Sequence, residues 1–217
     1  MRDIAIYCAG GFGREVACLI KRINECIDLQ EEQWNLIGFF DDGLPVGSQN
    51  EYGKVLGGID ALNTYEKELD IAIAIGSPNA VRSIASKISN PKVSFPNIVS
   101  PDIVFLDRGS VEMGMGNIVC SRCLVSCNVK IGNFNIFNGY ITVGHDSSIS
   151  NYNVMMPAVN ISGGVHVGDC NFFGVRSVVL QYKNIGNNVR IGANSVIMRH
   201  TKDGNLYMGN PAKITKL

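Results

Sequence analysis

The chain has 217 residues, nineteen Lys and Arg against nineteen Asp and Glu, 46% hydrophobic residues and seven cysteines. The balanced charge gives no net field to draw in nucleic acid or an anionic membrane, and the odd cysteine set, with only Cys120 and Cys123 at C-x-x-C spacing, makes neither a disulfide framework nor a complete zinc site. The opening apolar run is too short for a signal peptide and no segment approaches a membrane span, so free thiols in a soluble, cytoplasmic protein are expected, with no metal.

In chain order, residues 4 to 8 (IAIYC) read as a buried strand, followed by the turn AGGFG and a helical pattern from Arg14 to about Ile27. The strand LIGFF ends at Asp41 and Asp42. A helix over IDALNTYEKEL, the strand IAIAIG ending at Gly76, a turn at Ser77 and Pro78, and a helix from about Asn79 to Ser89 complete the pattern. Alternating strands and helices predict a small parallel sheet, a Rossmann-like domain over residues 1–94. Cys8, Gly10 and Gly13 stand where a dinucleotide fingerprint has its three glycines, so the first is missing. The turn reads either as a phosphate cradle at a helix N-terminus or as a plain strand-to-helix connection. Asp41 and Asp42, at the carboxyl end of a strand, read either as acceptors for ribose hydroxyls or a base N–H, or as a solvated turn.

Alternation stops at FPNIVSPDIVF, which puts the domain junction near residue 95. From Met113 a step of six meets Val119, Val125, Ile131, Phe137, Val143, Ile149, Met155, Ile161, Val167, Phe173, Val179, Ile185, Ile191 and Ile197, all apolar. At this composition such a run arises by chance about once in twenty thousand sequences. The next residue is often small or turn-forming (Gly132, Asn138, Gly144, Gly168, Gly174, Gly186, Gly192), which reads as a sharp corner eased by glycine. Residues 95–217 are therefore expected to form a left-handed parallel β-helix of hexapeptide repeats, with residues eighteen apart stacked and the tail covering one end or packing along the side.

There are three histidines, at 145, 166 and 200. His145 follows the interior Val143 by two and so projects from a corner, with Gly163 stacked beside it and Gly164 beside Asp146. Two residues without side chains predict an open ledge where a thioester carbonyl meets a glycine N–H. There His145 would serve as general base and Asp146 would fix its tautomer. The plainer reading is a surface imidazole, which is also the reading for His166 and His200. No two histidines lie within five residues, so the zinc pattern of repeat-fold carbonic anhydrases is absent.

The segments CAGGFGREV, GFFDD, AIGSPNAVR, VGHDSSI and YMGNPAK resemble, over nearly the whole chain, the sugar acetyltransferases that include sialic acid O-acetyltransferases and UDP-4-amino-sugar N-acetyltransferases. The resemblance implies a homotrimer with active sites between neighbouring β-helices and acetyl-CoA along the groove. It matches His145 to the catalytic base and Asp146 to its acidic neighbour, and sets Gly163 at the acetyl carbonyl. It also puts Gly174, Ala193, Gly209, Asn210, Pro211 and Ala212 near the coenzyme, and Gly10, Gly11, Phe12, Gly13, Asp41, Asp42 and Gly76 in a nucleotide-sugar pocket. Two positions depart from the family: Phe12 replaces a turn histidine, and Val154 a second histidine nine residues after the first.

The expected activity is acetyl transfer to an amino group, or second to a hydroxyl, of a nucleotide-activated or free bacterial sugar. The alternatives are a serine-type or other small-molecule O-acetyltransferase, in which the first domain is a cap, and a non-catalytic nucleotide-sugar-binding trimer.

Overall fold

The computed structural model describes residues 1–26 and 33–216. The chain begins with β1 (Arg2–Tyr7), α1 (Gly11–Cys26), β2 (Trp34–Phe40), β3 (Gln49–Asn50), β4 (Gly53–Gly57), α2 (Ile59–Asn63), β5 (Leu69–Ile73), α3 (Pro78–Lys87) and β6 (Val93–Ser94). Among the described residues the sheet order is β3-β4-β2-β1-β5-β6. β1 pairs in parallel with β2 on one side and β5 on the other, which sets a switch point at their carboxyl ends. Helix α1 starts at Gly11, earlier than its apolar period suggests, and the expected end at Ile27 lies outside the described residues. The β3–β4 hairpin was not legible in the sequence. Helix α2 ends at Asn63 rather than Leu69, because the Thr64 hydroxyl bonds back to the carbonyls of Asp60 and Ala61 at the C-cap.

From Ile98 to Ile197 two-residue strands build three parallel sheets; Ile98 and Val104 pair twenty residues on, with Ile118 and Leu124, and from Glu112 to Ile197 the spacing is eighteen, so that Thr142–Val143, for example, lies on Asn160–Ile161. The three-residue strands Leu206–Met208 and Lys213–Thr215 extend one sheet, the last of them antiparallel. The result is the left-handed parallel β-helix. Fourteen positions of the six-residue series, Val119 to Ile197, are at most 4% exposed and fill the prism, while Met113 is partly buried at its open end. A second interior series lies two residues before each of these and includes the fully buried Asn117, Asn135, Asn153 and Asn171. Each of these asparagines accepts the backbone N–H one coil later, from Asn135 N to Asn117 at 2.9 Å through to Val189 N to Asn171 at 2.7 Å. The ladder satisfies corner amides that would otherwise be buried without partners.

The corners correct the expected role of glycine. Non-glycine residues take a left-handed φ near +57° every sixth position, among them Arg122, Asn128, Phe134, Tyr140, Asp146, Tyr152 and Ala158, with Gly116 and Gly164 in the same register. Gly132, Gly144 and Gly174 stand two residues earlier, without positive φ. There a Cβ would lie 2.6 Å from Ser150 O, 2.5 Å from Gly163 N and 2.5 Å from Ala193 N respectively. These glycines admit the backbone of the next coil; they do not make the turn.

The three faces of the prism differ. Ile98, Ile118, Ile136 and Val154 point out from one sheet, yet are fully buried in the same apolar cluster as Ile6, Val16 and Ile20 of the first domain. The α/β domain therefore sits on this domain-facing sheet, and Arg22 of α1 reaches Ser121 at 2.9 Å and Asp102 at 3.1 Å. A second, polar sheet shows Glu112, Lys130, Ser148, His166 and Asn184 to solvent. The middle sheet presents Leu124, Thr142, Asn160, Val178 and Val196.

Candidate active site

His145 projects from the corner between the middle and polar sheets, with its side chain half exposed. Its Nδ1 lies 2.7 Å from Asp146 Oδ2, and Asp146 Oδ1 accepts from Asn128 Nδ2 at 3.1 Å. These hydrogen bonds, first from His145 and then from Asn128, hold the Asp146 carboxyl below its ordinary range. An ionised carboxylate only accepts, so Nδ1 carries the imidazole proton and Nε2 keeps a lone pair.

The Nε2 atom stands over Gly163, where a Cβ would come within 2.5 Å of it. The Gly163 N–H has no hydrogen-bond partner among the described residues, whereas Gly164 N donates to His145 O at 2.8 Å. The ledge is narrower than expected. Gly163 is open beneath the imidazole, but Gly164, at φ +65°, is covered by the Tyr182 ring from the next coil. The corner thus assembles a free basic nitrogen and an unpaired backbone donor side by side, the pair that acyl transfer requires.

Gly174 and Ala193 meet at a different corner, across the middle sheet from His145, in a groove of ≈ 330 Å³. Its lining includes Met156, Phe172, Val175, Arg190 and Met208. The tail is pinned beside it, with Gly209 N donating to Ser195 Oγ at 3.0 Å and Ala212 N to Val196 O at 2.9 Å, while Asn210 and Pro211 are exposed.

In the first domain, Gly10, Gly11 and Gly76 are exposed at the carboxyl ends of β1 and β5. Cys8, standing where the fingerprint has its first glycine, takes a φ of +87°. Gly13 is fixed by packing, since a Cβ there would collide with the Cys8 carbonyl. Phe12 is half-buried against the apolar core. Asp41 and Asp42 already have partners: Asp41 accepts from Ala9 N at 2.9 Å and Gly43 N at 2.8 Å, and Asp42 from the Tyr7 hydroxyl at 2.7 Å and Ile59 N at 2.8 Å. Burial, then the Asp42 contact, raises the Tyr7 hydroxyl pKa.

Val154 is buried between the domains, on a different face of the prism from His145. His166 and His200 make local contacts, with Ser148 Oγ at 2.7 Å and Asn184 N at 2.9 Å. All seven cysteines are free thiols, and burial pushes Cys120 up to about 12 and Cys123 up to about 11, away from the reactive thiolate. Among the described residues no three His, Cys, Asp or Glu side chains are grouped to hold a metal ion, and no helix is long and apolar enough to cross a membrane.

Sequence reasoning missed Asn128, Tyr182 and Arg190. Counting eighteen back from Asp146 gives Asn128 and eighteen on from Gly164 gives Tyr182, so the stacking rule held that information. Arg190 lines both the groove beside Gly174 and a cleft of ≈ 360 Å³ between Gly76, Ser77, Pro78 and Asn79 and the last coils, which no local pattern announces.

Residues 3–88 match the PglD N-terminal domain family. Along 99% of its length the chain is similar to the acetyltransferase domain of PglB from Neisseria gonorrhoeae FA1090 in complex with acetyl coenzyme A, with 27% identity, 99% of that chain covered and a TM-score of 0.87. It is likewise similar to PerB from Caulobacter crescentus in complex with CoA and GDP-perosamine, with 25% identity, 100% and 98% of the two chains covered and a TM-score of 0.88. An acyl-[acyl-carrier-protein]–UDP-N-acetylglucosamine O-acyltransferase from Nautilia profundicola is 32% identical over 88 residues, 41% of this chain. The chain spans about a third of the length of such curated relatives, 34% in that case.

Proposed function

We propose that the chain is a hexapeptide-repeat sugar acetyltransferase that moves the acetyl group of acetyl-CoA to an amino group, or second to a hydroxyl, of a nucleotide-linked or free amino sugar, a reading supported by the match of residues 3–88 and by the likeness to the two solved acetyltransferases. The observation that carries the reading is the His145 corner: Nε2 stands directly over Gly163, and neither Nε2 nor the Gly163 N–H has a hydrogen-bond partner among the described residues. As the acceptor nitrogen bonds to the acetyl carbon, Nε2 takes its proton. The Gly163 N–H donates to the acetyl oxygen as negative charge collects there. The carbon–sulfur bond then breaks and the imidazolium returns the proton to the departing thiolate. Asp146 holds the reactive tautomer and stabilises the imidazolium.

The groove lined by Met156, Val175 and Met208 offers apolar contact for the alkyl chain of acetyl-CoA, and Arg190 a cation for its phosphates. Gly174, Ala193 and residues 209–212 would shape this groove. The exposed Gly10, Gly11 and Gly76 at the switch point would receive the nucleotide, with Phe12 and Gly13 shaping the pocket and Asp41 and Asp42, each of whose oxygens accepts one bond within the domain, keeping lone pairs for a ribose hydroxyl or a base N–H. In this reading residues 1–94 bind the sugar nucleotide and residues 95–217 carry the chemistry. The protein works in the cytoplasm as a homotrimer whose neighbouring β-helices complete each groove.

The test is release of CoA thiol with UDP-, GDP- and CMP-linked amino sugars. His145→Ala is expected to lower kcat on the order of a hundredfold or more while acetyl-CoA binding survives. Unchanged turnover in that variant would overturn the assignment.

A further inference from the structure

We infer that Asn128 is a positioning residue for the base, acting through Asp146; this rests on the reading of His145 given above. Five residues form the column at this corner: Ser110, Asn128, Asp146, Gly164 and Tyr182, each eighteen after the last. The Asp146 side chain is 59% exposed, so packing does not fix the plane of its carboxylate. Its two hydrogen bonds do: Oδ2 to His145 Nδ1 and Oδ1 from Asn128 Nδ2. The Asn128 backbone is itself held, because its N–H donates to Ser110 Oγ at 2.9 Å. Asn128 turns its NH₂, not its carbonyl, toward Asp146, and the hydrogen bond it donates to Oδ1 leaves Oδ2 aimed at the imidazole.

A purely structural role is the competing explanation, since Asn128 occupies a left-handed corner at φ +55°, a conformation asparagine tolerates well. Aspartate and glycine tolerate it too, which makes the two roles separable. The other titratable groups stacked at this edge are Cys127, in the coil before His145, and Tyr182, in the coil after Gly164; neither brings a second carboxylate or a cation to Asp146.

The experiment compares wild type, Asn128→Gly and Asn128→Asp by ¹⁵N NMR of the His145 imidazole across pH, together with pH profiles of kcat/KM for thiol release. The wild type is expected to hold the Nδ1–H tautomer. In Asn128→Gly that tautomer should be diluted, the acidic limb of the profile should move to lower pH because the imidazolium loses a fixed counter-ion, and kcat should fall about tenfold with KM for acetyl-CoA unchanged. In Asn128→Asp the limb should move to higher pH, because a second carboxylate favours the imidazolium. A wild-type tautomer and a wild-type limb in both variants would overturn the inference. His145→Ala run alongside separates the two failures. If it is inactive while the Asn128 variants behave as wild type, only the positioning role falls; if it retains full turnover, the base assignment falls, and the tautomer spectra still decide whether Asn128 acts on the Asp146–His145 pair.

Discussion

Two glycine-marked corners of this protein attract the same reading and turn out to be built on different principles. At the turn after β1, Gly13 exists because the Cys8 carbonyl occupies the space of a side chain, and the neighbouring Asp41 and Asp42 have each oxygen engaged within the domain. At the prism corner, Gly163 lies under the imidazole, and neither its N–H nor His145 Nε2 has a hydrogen-bond partner among the described residues. One set of polar groups has partners within the fold; the other has none among the described residues. Residue type alone does not separate the cases, whereas an account of hydrogen-bond partners does.

The same substitution tests both. Gly13→Ala forces a methyl against backbone, which cannot move without shifting β1 or α1, and is expected to cost about 3 kcal/mol, a fall of roughly 6 to 12 °C in a thermal melt. Gly163→Ala forces a methyl against the end of an exposed imidazole, which swings aside cheaply. Its melt should barely change, while kcat falls about a hundredfold, close to 2.7 kcal/mol of barrier, as Nε2 leaves the ledge. A stability loss at Gly163 with wild-type kcat would erase the distinction between the two corners.

Asp42→Asn sharpens the comparison at lower amplitude. Asp42 receives the first-turn amide of Ile59 and the Tyr7 hydroxyl, so losing its charge should destabilise the first domain by about 1 kcal/mol. If the carboxylate instead served mainly as a ligand acceptor, the melt would hold and only KM for the sugar nucleotide would rise.

Much of the fold was written in the chain because a six-residue period repeats one physical demand, an apolar side chain at each inward position, and noise averages out over fifteen repeats. The second interior series escaped notice because it mixes Asn117, Cys123, Val129 and Ser147, and its asparagines are polar residues buried for their hydrogen bonds. The pairing of His145 with Gly163 followed from stacking alone. Tyr182 over Gly164 and Asn128 beside Asp146 follow from the same rule, but only when it is run in both directions along the column. The Thr64 cap that shortens α2 and the Arg190 position between two cavities depend on single contacts, and no periodicity points to them.

The smallest effect bears on why the repeat uses glycine at all. If glycine mainly served the turn, it would dominate the left-handed register, yet beside Gly116 and Gly164 that register holds Arg122, Tyr140, Asp146 and Ala158, while Gly132 and Gly144 occupy a position without positive φ. Ala158, at φ +62°, has neither a polar side chain to bond locally nor the freedom of glycine, so it bears the left-handed cost of roughly 1 kcal/mol uncompensated. Ala158→Gly relieves that cost but gives the unfolded chain more freedom, and the balance should be a gain of about 0.5 kcal/mol, read as a rise of roughly 1 to 2 °C in the melt with kcat unchanged. A loss of stability instead would mean that the Ala158 methyl is held by contacts worth more than the backbone strain, and that side-chain packing along the corner column, rather than clearance between coils, decides which residues this edge of the prism accepts.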